Sequence, residues 1–257
     1  MSKTVAALQP AIDFAEECDR GKVRDENQDV VRHTRTPLGD LMIVADGLGG
    51  YEGGGVAAEI VVDGVCAHLA SLPSYFPPSR AIREAVTQAN AEVLAVARAP
   101  DSPYPEMGTT VVMALLRQSG AGAQVWIAHA GDSRAYLLHD GRLRRLTRDH
   151  SAVQELIDGG MITPEGARHH PDASVLTRSL GHRSEVKIDI QKVALSPGDT
   201  LLLCSDGLWG YVSHQLIERV LAYPGLSADA AARTLLELAL DAGGRDNIGI
   251  EIARLKS

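Results

Sequence analysis

The chain has 257 residues, a net charge of −8, 45% hydrophobic, 23% charged and only 4% aromatic side chains. That balance is ordinary for a soluble globular protein whose core is filled by Val, Leu, Ile and Ala, and the acidic charge argues against nucleic acid as the main partner, because phosphate backbones bind basic faces. Cys18, Cys66 and Cys204 are odd in number and widely spaced, which excludes a disulfide framework and a thiolate zinc site and points to a reducing compartment.

Residues 1–14 lack a basic start followed by an apolar core, so no signal peptide is expected. No segment approaches the ~18–20 apolar residues that span a bilayer, and the expected location is cytoplasmic. In chain order, residues 29–36 read as a strand leading to a turn at Thr36-Pro37-Leu38-Gly39-Asp40, and residues 41–46 as a second strand. Val56, Ile60, Val61, Val65 and Leu69 recur at helical spacing, which predicts a helix over 53–72. Ser79 reads as the N-cap of a second helix over 80–98, and residues 99–107 as a Pro-rich loop.

Strands are predicted over 109–116, 124–130 and 134–139, with Asp140-Gly141 as a hairpin signal. Residues 151–157 read as a short helix ended by Gly159-Gly160, and 161–184 as an irregular excursion. Strands over 186–193 and 200–205 flank a turn at 196–199. Ser213 and Ser227 cap helices ending near 222 and 242, and 248–254 is a final strand. Strands joined by short turns are antiparallel, and helices grouped between strand runs imply antiparallel sheet layers covered by helices in one α+β domain.

Two apolar runs end in Ala/Ser-Asp-Gly-Leu, at Asp46-Gly47-Leu48 and Asp206-Gly207-Leu208. Each reads as a buried strand whose last residue is a carboxylate, which is costly unless the charge is paired or binds a metal. Asp132 follows Gly131, and Asp246 follows Gly243-Gly244-Arg245. Such an oxygen-only set, with no clustered Cys or His, points to Mg²⁺ or Mn²⁺. Two such ions about 3.5–4 Å apart make hydroxide from a bridging water and clamp phosphoryl oxygens. Arg24 offers a bidentate fork to a phosphate, and Asp29 suits the holding of metal-bound waters. His169-His170, the basic run Arg142, Arg144, Arg145 and Arg148, Trp209 and the Tyr51-Glu52-Gly53-Gly54-Gly55 run have blander readings: flap polarity, a solvated hairpin face, core packing and a tight helix start.

The order Arg24-x-x-Asn27-Gln28-Asp29, Asp46-Gly47-x-Gly49-Gly50, Gly108-Thr109-Thr110, Gly131-Asp132-Ser133-Arg134, Thr147-x-Asp149-His150-Ser151, Leu176-Thr177-Arg178-x-Leu180-Gly181, Ser205-Asp206-Gly207-Leu208-Trp209 and Asp246-Asn247 resembles the bacterial PP2C-type (PPM) metal-dependent protein serine/threonine phosphatases. The resemblance runs from about Asp19 to Ile252. It implies a single domain over 1–257, a four-layer α-β-β-α sandwich of two antiparallel sheets flanked by helices, with a flap subregion over about 150–181 beside a metal cleft. It implies that Asp46, the Gly47 carbonyl, Asp206 and Asp246 hold two Mn²⁺ or Mg²⁺ ions, that Asp132 serves a weaker third, and that Arg24 binds the substrate phosphate. Asp29, and Asn247 beside the ligand Asp246, stand behind them, and a hydroxide bridging the two ions attacks phosphorus.

The implied activity is hydrolysis of phosphoserine and phosphothreonine in proteins, reversing a separate bacterial Ser/Thr kinase, with no nucleic-acid or membrane partner. The alternatives are a non-catalytic phosphoprotein-binding relative and a phosphatase of small phosphoesters. Two positions depart from the family pattern: Leu48 stands where many members carry a His proton donor, and Gly210 where an Asp supports the third metal. The second departure predicts a higher metal requirement.

Overall fold

The computed structural model describes residues 11–48, 53–167 and 170–256. The expectations placed on most of residues 1–14, on Gly49-Gly50, on Tyr51-Glu52 and on His169 lie outside the described residues.

The strands are β1 (Ile12–Asp19), β2 (Asp29–Thr36), β3 (Gly39–Leu48), β4 (Gly108–Thr109), β5 (Val111–Ser119), β6 (Gly122–Ala130), β7 (Arg134–His139), β8 (Arg142–Arg145), β9 (Asp189–Leu195), β10 (Thr200–Cys204) and β11 (Ile248–Leu255). The helices are α1 (Gly53–Ser71), α2 (Pro78–Ala97), α3 (Ala152–Asp158), the turns α4 (Pro164–Ala167) and α5 (Asp206–Trp209), α6 (His214–Leu221) and α7 (Ala228–Asp241). One sheet has the order β1-β11-β10-β7-β8 and the other β2-β3-β5-β6-β9, with β4 beside β3. The strand pairs are antiparallel. The fold class is thus the α+β sandwich expected from the sequence.

Period-two alternation assigns each strand residue to a layer. On β3, Leu41, Ile43 and Ala45 join α1 and α2 in one apolar cluster, while Met42 and Val44 join the cluster between the sheets. On β11, Ile248, Ile250 and Ile252 pack toward α6 and α7, and Ala253 and Leu255 face the other sheet. Three apolar interfaces therefore separate four layers. By length and composition α1 could cross a membrane, contrary to the sequence expectation. Here Val61, Val62, Val65 and Leu69 are fully buried against β3 and α2, so its apolarity is that of a core helix.

Two local expectations are corrected, and one strand was not foreseen. The second long helix starts at Pro78, not Arg80, and its N-cap is Pro77 with no side-chain bond; a proline at the first helical position needs no N–H partner and has its φ already set. The ninth strand begins at Asp189 rather than at 186, because residues 181–184 are tied to α2 by Asn90 instead. Strand β1 carries no clean alternation, since as an edge strand it is half-buried on both faces.

Glu251 on β11 pairs across the ladder with Glu16 and points into the space between the sheets. It is 1% exposed and neither carboxyl oxygen has a hydrogen-bond partner among the described residues. Burial, then Glu16, holds its carboxyl protonated well above the usual carboxylate range. A proton held more tightly in the folded than in the unfolded chain gives stability that is full below about pH 4.5 and is lost as pH rises through the folded value. Glu251→Gln removes that loss. The Tm gap between variant and wild type should therefore widen from pH 5 to pH 8, by about 2–4 °C for each kcal/mol involved; a constant gap in calorimetry would contradict the assignment.

Candidate metal centre

The register of β2 and β3 places Asp29 directly opposite Asp46. Opposed residues of an antiparallel pair share a face, and here it is the inter-sheet face, at the rim where Met42 and Val44 give way to carboxylates. The position of Asp46 is fixed through its backbone: its carbonyl accepts from Thr110 N at 2.9 Å and Thr109 Oγ1 at 2.9 Å, and its N–H donates to Thr110 Oγ1 at 3.2 Å. Gly47 sits opposite Thr109, and a Cβ there would lie 2.3 Å from the backbone of Gly54. Only glycine lets the first turn of α1 come so close.

The opposing sheet supplies the other carboxylates. Strand β10 ends at Cys204, so Asp206 opens the turn α5 rather than ending a strand, with Ser205 as its N-cap. Ser205 Oγ donates to Asp29 Oδ2 at 2.5 Å and accepts from Gly249 N at 2.9 Å, which joins the two sheets at the site. Gly207 abuts the Asn247 carbonyl, where a Cβ would come within 1.8 Å. Asp246 precedes β11 and takes a hydrogen bond from Arg24 Nη2 at 2.9 Å. Asp132 lies in the bend between β6 and β7, whose Ser133 Oγ meets Thr110 Oγ1 at 2.7 Å.

Asn247 has a role the sequence did not disclose. Its Oδ1 accepts from Gln28 N, and its Nδ2 donates to the Arg20 and Glu26 carbonyls at 2.9 and 2.8 Å. It thus clamps the loop that carries Arg24 onto β11. Ser205 was likewise missed, although Ser before Asp-Gly at a strand end is an N-cap signal.

These carboxylates disturb one another. Burial and neighbouring acids hold Asp29 up to about 8, Asp132 to about 7 and Asp206 to about 6, with Asp46 well above the usual range. Burial is the first cause in each case. Asp29 Oδ1 has no hydrogen-bond partner among the described residues. Arg24 is bound to Asp246 and Arg134 to Asp149; both ease the charge of Asp206 at a distance, but among the described residues Asp29, Asp46, Asp132 and Asp206 have no ion-paired cation of their own. Uncompensated, oxygen-only and convergent, this donor set fits hard divalent cations.

Arg134 braces the centre. Its Nε and Nη2 donate to the two Asp149 oxygens at 3.0 and 2.6 Å, and its guanidinium carbon stacks 3.3 Å over the Trp209 ring. Trp209 packs against the helix-side core as expected and in addition serves as a platform for a cation. The basic hairpin run is partly tied down as well, with Arg145 reaching Asp149 and Gln154 and Arg148 paired to Asp158. Gly210 adopts φ −70°, and a Cβ there would lie 2.8 Å from the Asp206 carbonyl oxygen. An Asp at 210 would thus push on the backbone of Asp206.

His129, His150 and Asp189 make a second group of ligand-type atoms, all within 4.8 Å of one another. His150 Nδ1 accepts from Gly131 N, which places the proton on Nε2, donating to Asp189 Oδ2 at 3.2 Å. Arg178 donates to Asp189 Oδ1 at 2.8 Å. Burial, then His129, lowers His150 to about 4, so the imidazole is neutral. The Arg178 guanidinium takes the place of a cation, and this cluster pins the 174–180 segment to the sheet.

Asp149 is only 7% exposed at its side chain, and without Arg134 it keeps only the longer Arg145 contact at 3.4 Å, a buried charge poorly compensated. Arg134→Met should lower stability by about 3 kcal/mol, with part recovered in Arg134→Met/Asp149→Asn. Urea unfolding measures this; an unchanged midpoint in the single variant would contradict the bracing role.

The protein phosphatase 2C family model matches residues 22–235. The serine/threonine protein phosphatase PstP of Mycobacterium tuberculosis is 36% identical over 252 residues, covering 97% of this chain and 46% of that protein. The serine/threonine phosphatase stp of Listeria monocytogenes is 36% identical over 239 residues, covering 90% of this chain and 91% of that protein. The solved catalytic domain of PstP in complex with two manganese ions superposes with a TM-score of 0.82 at 35% identity, covering 96% of this chain and 99% of that one. The chain thus spans about half the length of the mycobacterial relative and nearly all of its catalytic domain. With sequence, fold and catalytic-domain structure in agreement, the chain belongs to the protein phosphatase 2C family, alongside bacterial members.

Proposed function

We propose that the chain hydrolyses phosphoserine and phosphothreonine in proteins, opposing a separate Ser/Thr kinase. The observation that carries this reading is the convergence of Asp46, Asp206, Asp246, Asp132 and Asp29 at one rim of the sandwich, with Arg24 at its edge. In this reading Asp46, the Gly47 carbonyl, Asp206 and Asp246 hold the ions, and Asp132 holds a weaker third whose affinity suffers because Gly210 adds no carboxylate. Bound there, two Mn²⁺ or Mg²⁺ ions would supply a hydroxide at neutral pH and positive charge for the phosphoryl oxygens.

The chain's own residues do the rest. Arg24 is half exposed at its side chain and spends one N–H on Asp246. Its remaining donors orient the substrate phosphate. Asp29, its Oδ2 committed to Ser205, has Oδ1 left to position water. Thr109 and Thr110 hold Asp46 rigidly, so no reorganisation is needed as charge develops. Leu48 cannot donate a proton, so protonation of the leaving alkoxide falls to another group.

The test is phosphate release from a phosphothreonine peptide, together with thermal unfolding. Mn²⁺ should support release and raise Tm, and EDTA should abolish both. Asp206→Asn should lose at least about a hundredfold in rate and most of the Mn²⁺-induced rise in Tm. In EDTA it should be no less stable than wild type, because one of the repelling carboxylates is gone. A folded wild type that releases nothing at any Mn²⁺ concentration would overturn the catalytic reading.

A further inference from the structure

A groove of about 1030 Å³ opens beside the metal centre. One end is Leu48, the residue after Gly47. Its walls are the 174–187 segment and Arg98, the C-cap of α2. The walls are built rather than loose. Residues Ser151 and Leu176 form a β-bridge, as do Thr109 and Leu180, and Thr177 N donates to the His150 carbonyl at 2.8 Å. Asn90 is 1% exposed and spends its side chain on this wall alone. Its Nδ2 donates to the Arg183 carbonyl at 2.9 Å and its Oδ1 accepts from Gly181 N at 2.9 Å. A buried amide inside an apolar helix face is costly unless fully bonded, and here its bonds fix the turn that carries Arg183.

The charge of the groove runs against that of the chain. Arg98, Arg183 and Lys187 are exposed, and none has an acidic side chain within ion-pair distance among the described residues. Arg178 is already answered by Asp189. Glu185 is the one carboxylate in the lining. A net positive groove thus leads out of an acidic rim on a chain of net charge −8. A neutral or basic peptide would gain nothing from it, whereas acidic side chains would be drawn in.

We infer that this groove is a subsite for acidic residues flanking the phosphorylated residue, so that the substrates are phosphopeptides with an acidic flank. The inference rests on the phosphatase reading above and adds a charge preference to it. Arg183 and Lys187 act as specificity-determining groups, contacting the flank and not the scissile phosphate.

The experiment compares three phosphothreonine peptides of equal length, with Asp/Glu, Ser/Ala or Lys residues on both sides, in Mn²⁺. In wild type the kcat/KM of the acidic peptide should exceed that of the neutral one by about fivefold at low salt. The difference should lie in KM and shrink toward one near 0.5 M salt, where the Debye length is only about 4 Å. In Arg183→Glu/Lys187→Glu the ratio of acidic to neutral should fall below one. Being internal to each protein, that ratio is not mimicked by a general loss of fold or turnover. Equal kcat/KM for acidic and neutral peptides in wild type, or an unchanged ratio in the charge-reversed variant, would overturn the inference while leaving the phosphatase reading in place. Release from none of the peptides, nor from a small aryl phosphate, would overturn that reading and the inference with it.

Discussion

The structure depends on keeping mutually repelling carboxylates in one buried rim where, among the described residues, Asp29, Asp46, Asp132 and Asp206 form no ion pair with a side-chain cation. Asp29, Asp46, Asp132 and Asp206 each lie where burial and the others raise the cost of ionisation. Buried carboxylates of this kind either stay protonated or take a ligand, and a divalent cation at this rim would compensate several of them at once. Everything around the rim serves to hold these groups in place despite their repulsion: paired threonines behind Asp46, a serine joined to Asp29 across the sheets, and an arginine–tryptophan brace beside Asp206.

The sandwich supplies the rigidity. The centre takes Asp29 and Asp46 from two paired strands of one sheet, and Asp206 and Asp246 from the chain leaving β10 and entering β11 of the other. Close approach sets the distances. The backbone runs at Gly47 and Gly207 are so tight that a single methyl group would separate the elements they join. The glycine after each aspartate is thus required by packing, whatever its carbonyl does. The flap side is held differently, through Asn90 and the His150–Asp189–Arg178 cluster, which leaves the polar tips of Arg183 and Lys187 free.

The legible part of the sequence was what repeats or punctuates. Long helices showed their period, the caps Ser213 and Ser227 stand where expected, and the Asp-Gly pairs marked the rim. Edge strand β1 was not legible, because a strand half-buried on both faces has no alternation to read. The proline start of α2 was misread because Ser79 is a stronger general N-cap signal than Pro77. The carboxylates proposed as donors were legible, but not what holds them in place. Ser205, Asn247 and Asn90 act across separations of 176, 219 and 91 residues, and no local pattern reveals partners so far away. The core contact of Trp209 was legible; its second role was not, because its stacking cation, Arg134, is likewise distant in sequence.

The most direct measurement is calorimetric titration of Mn²⁺ into the metal-free protein near pH 6.5, in two buffers of different ionisation enthalpy. Carboxyls held up to about 6, 7 and 8 are partly protonated in the empty rim, and a divalent cation must displace those protons. At least two ions should bind per chain, with net proton release that falls as the pH is raised to about 8.5. Absence of Mn²⁺ binding, or binding whose heat is the same in both buffers, would contradict it.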